Sequence, residues 1–186
     1  MVLLGLQLVA QSLTHDFEEE NLSRWKSNAN WQIEEDKSSM VLSLIERSNS
    51  RGFNLCYTQD VNFTDGNIST LFRANKGKID QGGGLMWRVQ DDDNYYVARF
   101  NPLEDNFRFY IVQEGIRKEI ASVDVALTGG WHSMTIVQQG DSFEGYLDGK
   151  RVLHAKDSRL PKSGGVGVWT KADALTSFDD VRIETK

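Results

Sequence analysis

The chain has 186 residues, 21 of them basic and 27 acidic, for a net charge of −6. The two signs are interleaved along the sequence, which excludes the concentrated cationic patch that a nucleic acid or an anionic membrane surface requires. Cys56 is the single cysteine, so no intrachain disulfide forms. A chain this long buries roughly 70% of its unfolded surface and needs no disulfide or metal to fold. With no base nearby to activate it, Cys56 is expected to be a small apolar filler on a strand.

Residues 1–10 (MVLLGLQLVA) are apolar but too short to span a bilayer. The segment is similar to the apolar region and small-residue cleavage site of a secretory signal, without a cationic leader. Residues 1–12 therefore read either as a signal remnant or as a first strand. A single domain occupies residues 13–186, and the segment favours a secreted or periplasmic location with no transmembrane span.

From there no amphipathic helix of useful length follows. Short runs of alternating or β-branched residues are separated by Gly, Asp and Asn at intervals of about eight to twelve residues. They predict strands at 31–35, 40–46, 53–63, 67–74, 84–89, 95–101, 107–113, 117–124, 131–138, 142–147, 151–155, 165–170 and 178–184. Asp148-Gly149 predicts a two-residue hairpin turn with positive φ at both positions. Pro102 and Pro161 fall outside these strands, as hydrogen-bonded sheets require. The glycine triplet 82–84 lacks the helix and lysine of a phosphate-binding loop and reads as a flexible start to a strand. About 12–14 strands without a repeat or linker predict an all-β domain, two antiparallel sheets packed as a jelly-roll sandwich.

The hairpin around Asp91-Asp92-Asp93-Asn94 carries the most chemistry. Period two places Met86 with Arg88 on one face of its first strand, and Leu85, Trp87 and Val89 on the other. On the second strand Tyr95, Val97, Arg99 and Asn101 share a face, opposite Tyr96, Ala98 and Phe100. Two arginines on adjacent strands are not buried without partners, so the face bearing Arg88 and Arg99 is expected to be the concave, wet one. Glu104, Asp105 and Asn106 lie in the following loop, placed to pair with those arginines or to bind hydroxyls. On a later strand Trp169 and Lys171 share a face, followed by Asp173.

Two readings of this set stand. In one, Arg88, Tyr95, Arg99, Asn101, Glu104, Trp169, Lys171 and Asp173 form a sugar site, with an aromatic face for the ring and a guanidinium fork and amide for its hydroxyls. In the other they are an internal network of arginines and carboxylates over core aromatics. Trp25, Trp31, Trp87 and Trp131 are expected in the core or at sheet edges.

The spans Asp80-Gln-Gly-Gly-Gly-Leu-Met-Trp-Arg88 and Asn94-Tyr-Tyr-Val-Ala-Arg-Phe-Asn-Pro-Leu-Glu-Asp-Asn106 resemble exported bacterial proteins of the concanavalin A-like lectin/glucanase fold. Gly130-Trp-His132, Tyr146-Leu-Asp-Gly-Lys150, Gly165-Val-Gly-Val-Trp-Thr-Lys-Ala-Asp173 and Phe178-Asp-Asp-Val-Arg182 extend the likeness over nearly the whole chain. The resemblance is to the 3-keto-disaccharide hydrolase domain and to family 16 glycoside hydrolases. It implies the fold, and an oligosaccharide or polysaccharide as ligand. It does not by itself imply catalysis, because one fold hosts binders and enzymes alike.

Family 16 enzymes set Glu-x-Asp-x-Glu on one strand, so that all three carboxylates point into the cleft. That spacing is absent. Glu18-Glu19-Glu20, Glu34-Glu35-Asp36 and Asp91-Asp92-Asp93 read as solvated acids of loops and strand ends. A glycan-binding module without catalysis is the leading expectation. A glycoside-processing hydrolase or lyase is the first alternative, with Glu104 or Asp173 as general base and Arg88 or Arg99 stabilising developing negative charge. A laminin G-like protein-interaction module is the second. His15, His132 and His154 fit no metal-ligand spacing. No cofactor is required on this reading. A structural Ca²⁺ ion is a candidate where Asp16 meets Asp179 and Asp180, if the terminal strands pair.

Overall fold

A computed structural model describes residues 10–19, 21–47 and 52–186. Most of the 1–12 segment lies outside the described residues; its last residue, Ser12, opens a strand. The strands are β1 (Ser12–His15), β2 (Trp25–Ser27), β3 (Asn30–Asp36), β4 (Ser39–Glu46), β5 (Phe53–Phe63), β6 (Gly66–Lys76), β7 (Gly84–Asp91) and β8 (Asn94–Asn101). They continue as β9 (Asn106–Gln113), β10 (Ile116–Asp124), β11 (His132–Gln139), β12 (Ser142–Leu147), β13 (Lys150–Lys156), β14 (Gly164–Lys171) and β15 (Leu175–Thr185). Each of the thirteen predicted segments coincides with a strand. The three residues of β2 were too few to carry a periodic signal.

The strands form two sheets, and every pairing is antiparallel. One runs β13-β12-β11-β6-β15-β4-β3 with β1 added on β15; the other runs β10-β9-β8-β7-β14-β5-β2. The jelly-roll sandwich is therefore the fold. Its main core lies between the sheets, where Leu42, Ile68, Phe72, Ile136, Phe143 and Phe178 meet Leu85, Trp87, Tyr96, Phe100, Phe107, Phe109 and Val168. The expected alternation is visible on β8: Tyr96, Ala98 and Phe100 join this core, while Tyr95 and Val97 join a second apolar cluster on the outer face of the seven-stranded sheet. That second cluster also holds Leu55, Tyr57, Met86, Val89, Tyr110, Val112 and Trp169.

Trp25, Trp31 and Trp87 are buried in the main core, and the Trp87 indole donates to Gln138 at 2.8 Å. Trp131 lies instead under Arg73, 4.9 Å from the guanidinium, and donates to Asp36. Cys56 is fully buried, and burial pushes its thiol well above the ordinary value, as fits an inert filler. Asp148 and Gly149 have φ of 49° and 75°, the expected turn geometry. The expectation for the glycine triplet needs correction. A Cβ on Gly83 would stand 2.4 Å from the Trp169 carbonyl oxygen, and one on Gly84 would stand 2.1 Å from that of Ala98. These glycines are there because backbones approach closely, not to loosen the strand.

Candidate functional site

On the outer face of the seven-stranded sheet, β8 presents Arg99 beside Tyr95 and Val97, β9 adds Tyr110, β10 adds Arg117, and β14 adds Trp169. Arg99 is only 2% exposed. One of its terminal nitrogens donates to Glu104 and to Asn106, both at 3.0 Å, and the other reaches Asp80 at 3.4 Å. Asp80 is 4% exposed, accepts from the Asn101 side-chain amide at 2.9 Å, and faces Lys171 at 3.7 Å. Arg117 lies over the aromatic floor, 4.3 Å from the Tyr110 ring and 5.6 Å from those of Phe53 and Trp169. Cation–π attraction of this sort strengthens where water is excluded.

The two guanidiniums are incompletely satisfied. Arg99 Nε and Arg117 Nη1 are buried and have no hydrogen-bond partner. A buried donor left unpaired costs about 1–3 kcal/mol, so each favours an arriving acceptor. Burial lowers the Arg117 pKa, and the charge on Arg99 lowers it further, against the opposing pull of Tyr110 and Asp80. Burial raises the Asp80 pKa although Arg99 and Lys171 oppose it. Glu104 goes the other way, because the Asn106 amide, Arg99 and Arg108 hold its carboxyl below the ordinary value.

The structure thus joins Arg99, Asn101, Glu104, Lys171, Tyr95 and Trp169 in one neighbourhood, but not in the way the platform reading expected. Trp169 and Tyr95 are fully buried, and the indole donates to the Tyr95 hydroxyl at 3.1 Å. They form a floor beneath Arg117 and offer no open aromatic face. Nor is the arginine face wet, since Arg88 and Arg99 are each 2% exposed.

Arg88 is a second correction. Its backbone has φ of 48° at a register irregularity between Trp87 and Asp91, and this bulge turns the side chain away from Arg99. Its guanidinium donates instead to the carbonyls of Thr64, Gly140 and Leu160 at 2.8 to 3.0 Å and to Asp65 at 3.4 Å. Val89, beyond the bulge, lands in the same cluster as Met86.

Asp173 accepts the backbone N–H groups of Lys78, Ile79 and Asp80 at 2.8 to 3.0 Å, and these bonds lower its pKa. It positions the loop that delivers Asp80, and a carboxylate so stabilised is a poor general base. Sequence reasoning passed over Asp80 and Arg117. Asp80 sat before the glycine triplet as an ordinary loop acid, and Arg117 opened a predicted strand with nothing to show that it would reach over Tyr110 to Trp169.

The terminal strands do pair, with His15 opposite Val181, which brings Asp16 just past the end of that ladder. Asp16 accepts the Glu18 N–H, Asp180 pairs with Arg182, and Asp179 shares the Ser39 hydroxyl with Glu18. Among the described residues no group of three or more His, Cys, Asp or Glu is arranged to hold a metal ion, Asp16, Asp179 and Asp180 included. A shallow groove of about 370 Å³ on the outer face of the other sheet, lined by residues such as Ser69, Thr135, Tyr146 and Arg182, contains no buried unpartnered polar atom. It is the weaker candidate.

Fold and site together define a jelly-roll sandwich with a charged, arginine-rich patch on one outer face. The chain belongs to the family of 3-keto-α-glucoside-1,2-lyase-like domains, whose family model matches residues 12–184. It is 28% identical over 177 residues to a levanase of Bacillus subtilis, covering 89% of this chain but only 23% of that enzyme. Among solved structures, the carbohydrate-binding module CBM66 of Bacillus subtilis superposes with a TM-score of 0.74 at 22% identity, over 87% of this chain and 96% of the module. A β-glucanase of Bacillus licheniformis superposes with a TM-score of 0.65 at 16% identity, over 94% of this chain and 98% of the enzyme.

Proposed function

We propose that this domain binds carbohydrate on the outer face of the seven-stranded sheet, gripping a sugar by its hydroxyls with Arg99, Arg117, Asp80 and Glu104. The carrying observation is the pair of buried, unpartnered guanidinium N–H groups set beside two carboxylates. A vicinal diol offers oxygens that accept from a guanidinium and protons that a carboxylate accepts, so one sugar satisfies both. The levanase likeness makes β-fructan oligosaccharides the first ligands to examine, and an extracellular location accompanies that reading. Among the described residues no helix is long and apolar enough to cross a membrane.

Isothermal titration calorimetry with levan oligosaccharides, sucrose and α-glucan oligosaccharides tests the assignment. Arg117→Met keeps an apolar stem over Tyr110 and removes the charge, and it is expected to weaken binding at least tenfold. Binding that survives both Arg117→Met and Arg99→Met unchanged overturns the assignment.

One observation favours a catalytic role for the same site. Among its carboxyls Asp80 alone has a raised pKa, and it sits beside two cations. A 1,2-lyase acting on a 3-keto-glucoside needs a base for the proton beside the ketone and a cation for the developing oxyanion. Asp80 and Arg99 fit those parts better than Glu104 or Asp173. Turnover of a 3-keto-glucoside that is abolished in Asp80→Asn supports this role, and turnover unchanged in that variant excludes it.

A further inference from the structure

Three large hydrophobic side chains are exposed among the described residues: Ile79 at 76%, Leu103 at 51% and Ile116 at 60%. Scattered apolar residues on a surface are ordinary. The placement of the first two is not scattered. Ile79 directly precedes Asp80 and Leu103 directly precedes Glu104, the two carboxylates that hold Arg99. Ile116 lies at the opposite end of β9–β10, opposite Gln113, whereas the 102–105 turn follows the Asn101–Asn106 pair.

Both apolar residues are carried on fixed backbone. The Asp173 carboxylate takes the N–H of Ile79 at 3.0 Å, together with those of Lys78 and Asp80. Leu103 donates its N–H to the Asn101 side-chain oxygen at 2.8 Å, and the amide nitrogen of the same Asn101 donates to Asp80 at 2.9 Å. One asparagine therefore ties the two loops together across the charged patch. Ile79 is 76% exposed and Leu103 51%, so fixed backbone is holding much of each aliphatic side chain in water beside a site with unsatisfied donors.

We propose that Ile79 and Leu103 form an apolar subsite at the rim of the carbohydrate site, which receives an apolar aglycone attached to the sugar held by Arg99 and Arg117. This rests on the carbohydrate reading above and adds the substrate class: glycosides bearing an aromatic or alkyl group in place of a second sugar. The side-chain chemistry selects that occupant. The C–H face of a pyranose is recognised by the π-face of an aromatic ring, and neither residue is aromatic. Aliphatic side chains instead stabilise an apolar group by removing it from water.

Calorimetry with benzyl and methyl α-D-glucopyranoside, and with benzyl and methyl β-D-fructofuranoside, tests the subsite. In the native protein the benzyl glycoside of the sugar that binds is expected to bind about tenfold tighter than its methyl counterpart, the effect of roughly 60 Å² of apolar surface leaving water. The Ile79→Ser/Leu103→Ser double variant is expected to lose that difference while keeping the methyl glycoside affinity. Equal affinities in the native protein overturn the subsite and leave the carbohydrate reading intact, as does a preference that survives in the double variant. Failure of all four glycosides to bind overturns both. Sedimentation that shows self-association of the native protein, abolished by the double variant, overturns the subsite in favour of contact between copies.

Discussion

Arg88 and Arg99 stand on neighbouring strands of one sheet, have the same exposure, and do opposite things. Arg88 is closed. Three backbone carbonyls and Asp65 surround its guanidinium, which joins the ends of β5 and β11 and the segment before β14. Arg99 is open in chemical terms: its partners are carboxylates and an amide, one of them 46% exposed, and its Nε remains unpaired. Burial alone therefore does not distinguish an arginine locked into the fold from one whose partners can be exchanged. The identity of the acceptors does, because backbone carbonyls are fixed by the fold, whereas side-chain carboxylates can exchange a guanidinium for a ligand hydroxyl.

The largest effect that would sharpen this contrast is on stability. Arg88→Met takes the Arg88 donor from the buried Leu160 carbonyl and the partly buried Thr64 carbonyl, while Gly140 keeps Gln138, and it is expected to cost about 4 kcal/mol. At roughly 2–4 °C per kcal/mol for a domain of this size, the midpoint of thermal unfolding should fall by about 8–16 °C. A fall under about 3 °C would break the comparison, since Arg88 would then be no more structural than a surface residue.

Arg99→Met is expected to cost less, about 2 kcal/mol at neutral pH, and to do so in a pH-dependent way. Arg99 lowers the pKa of Asp80 against burial and helps hold Glu104 down. Without it both carboxyls have higher folded-state values. A raised folded pKa costs stability once pH passes the unfolded value, and the stability that a depressed Glu104 contributes above that value is lost. The deficit of the variant should therefore be greatest near pH 7 and shrink as pH falls through about 4 towards the depressed folded value of Glu104, below which both carboxyls are protonated folded or unfolded. Urea unfolding at the two pH values measures this; a deficit that grows on acidification would contradict it.

The smallest effect belongs to Asp173→Ala. Its carboxylate bonds are partly solvated, so the stability loss should stay below about 1 kcal/mol. Loop 78–80 delivers Asp80, so glycan affinity should nevertheless drop by about threefold. A variant with native affinity would show that Asn101 and Arg99 alone suffice to place Asp80.

Much of this was legible in the chain. Alternation through Tyr95-Tyr-Val-Ala-Arg-Phe assigned every side chain of β8 to its face, because period two is a property of the extended backbone itself. Glu104 and Asn106 follow Arg99 closely enough in sequence that their pairing with it is a local matter. The bulge at Arg88 was not legible. Nothing in Trp87-Arg-Val-Gln marks it, because the irregularity arises where β7 adjusts its register to β8 and β14. Trp169 looked like an available platform for the same reason: its face was correctly read, but what lies over that face comes from β10, over fifty residues earlier.

The sequence by itself determined the class of fold, the positions of the strands and the tight turns, since these follow from periodicity and from local backbone preferences. It also determined that a family 16 carboxylate triplet is absent, which is a matter of spacing on one strand. Only the tertiary structure decided which charges meet. Asp80 reaches Arg99 from a loop and Arg117 reaches Trp169 across the sheet, and such contacts depend on strand order and sheet register, which no local pattern encodes.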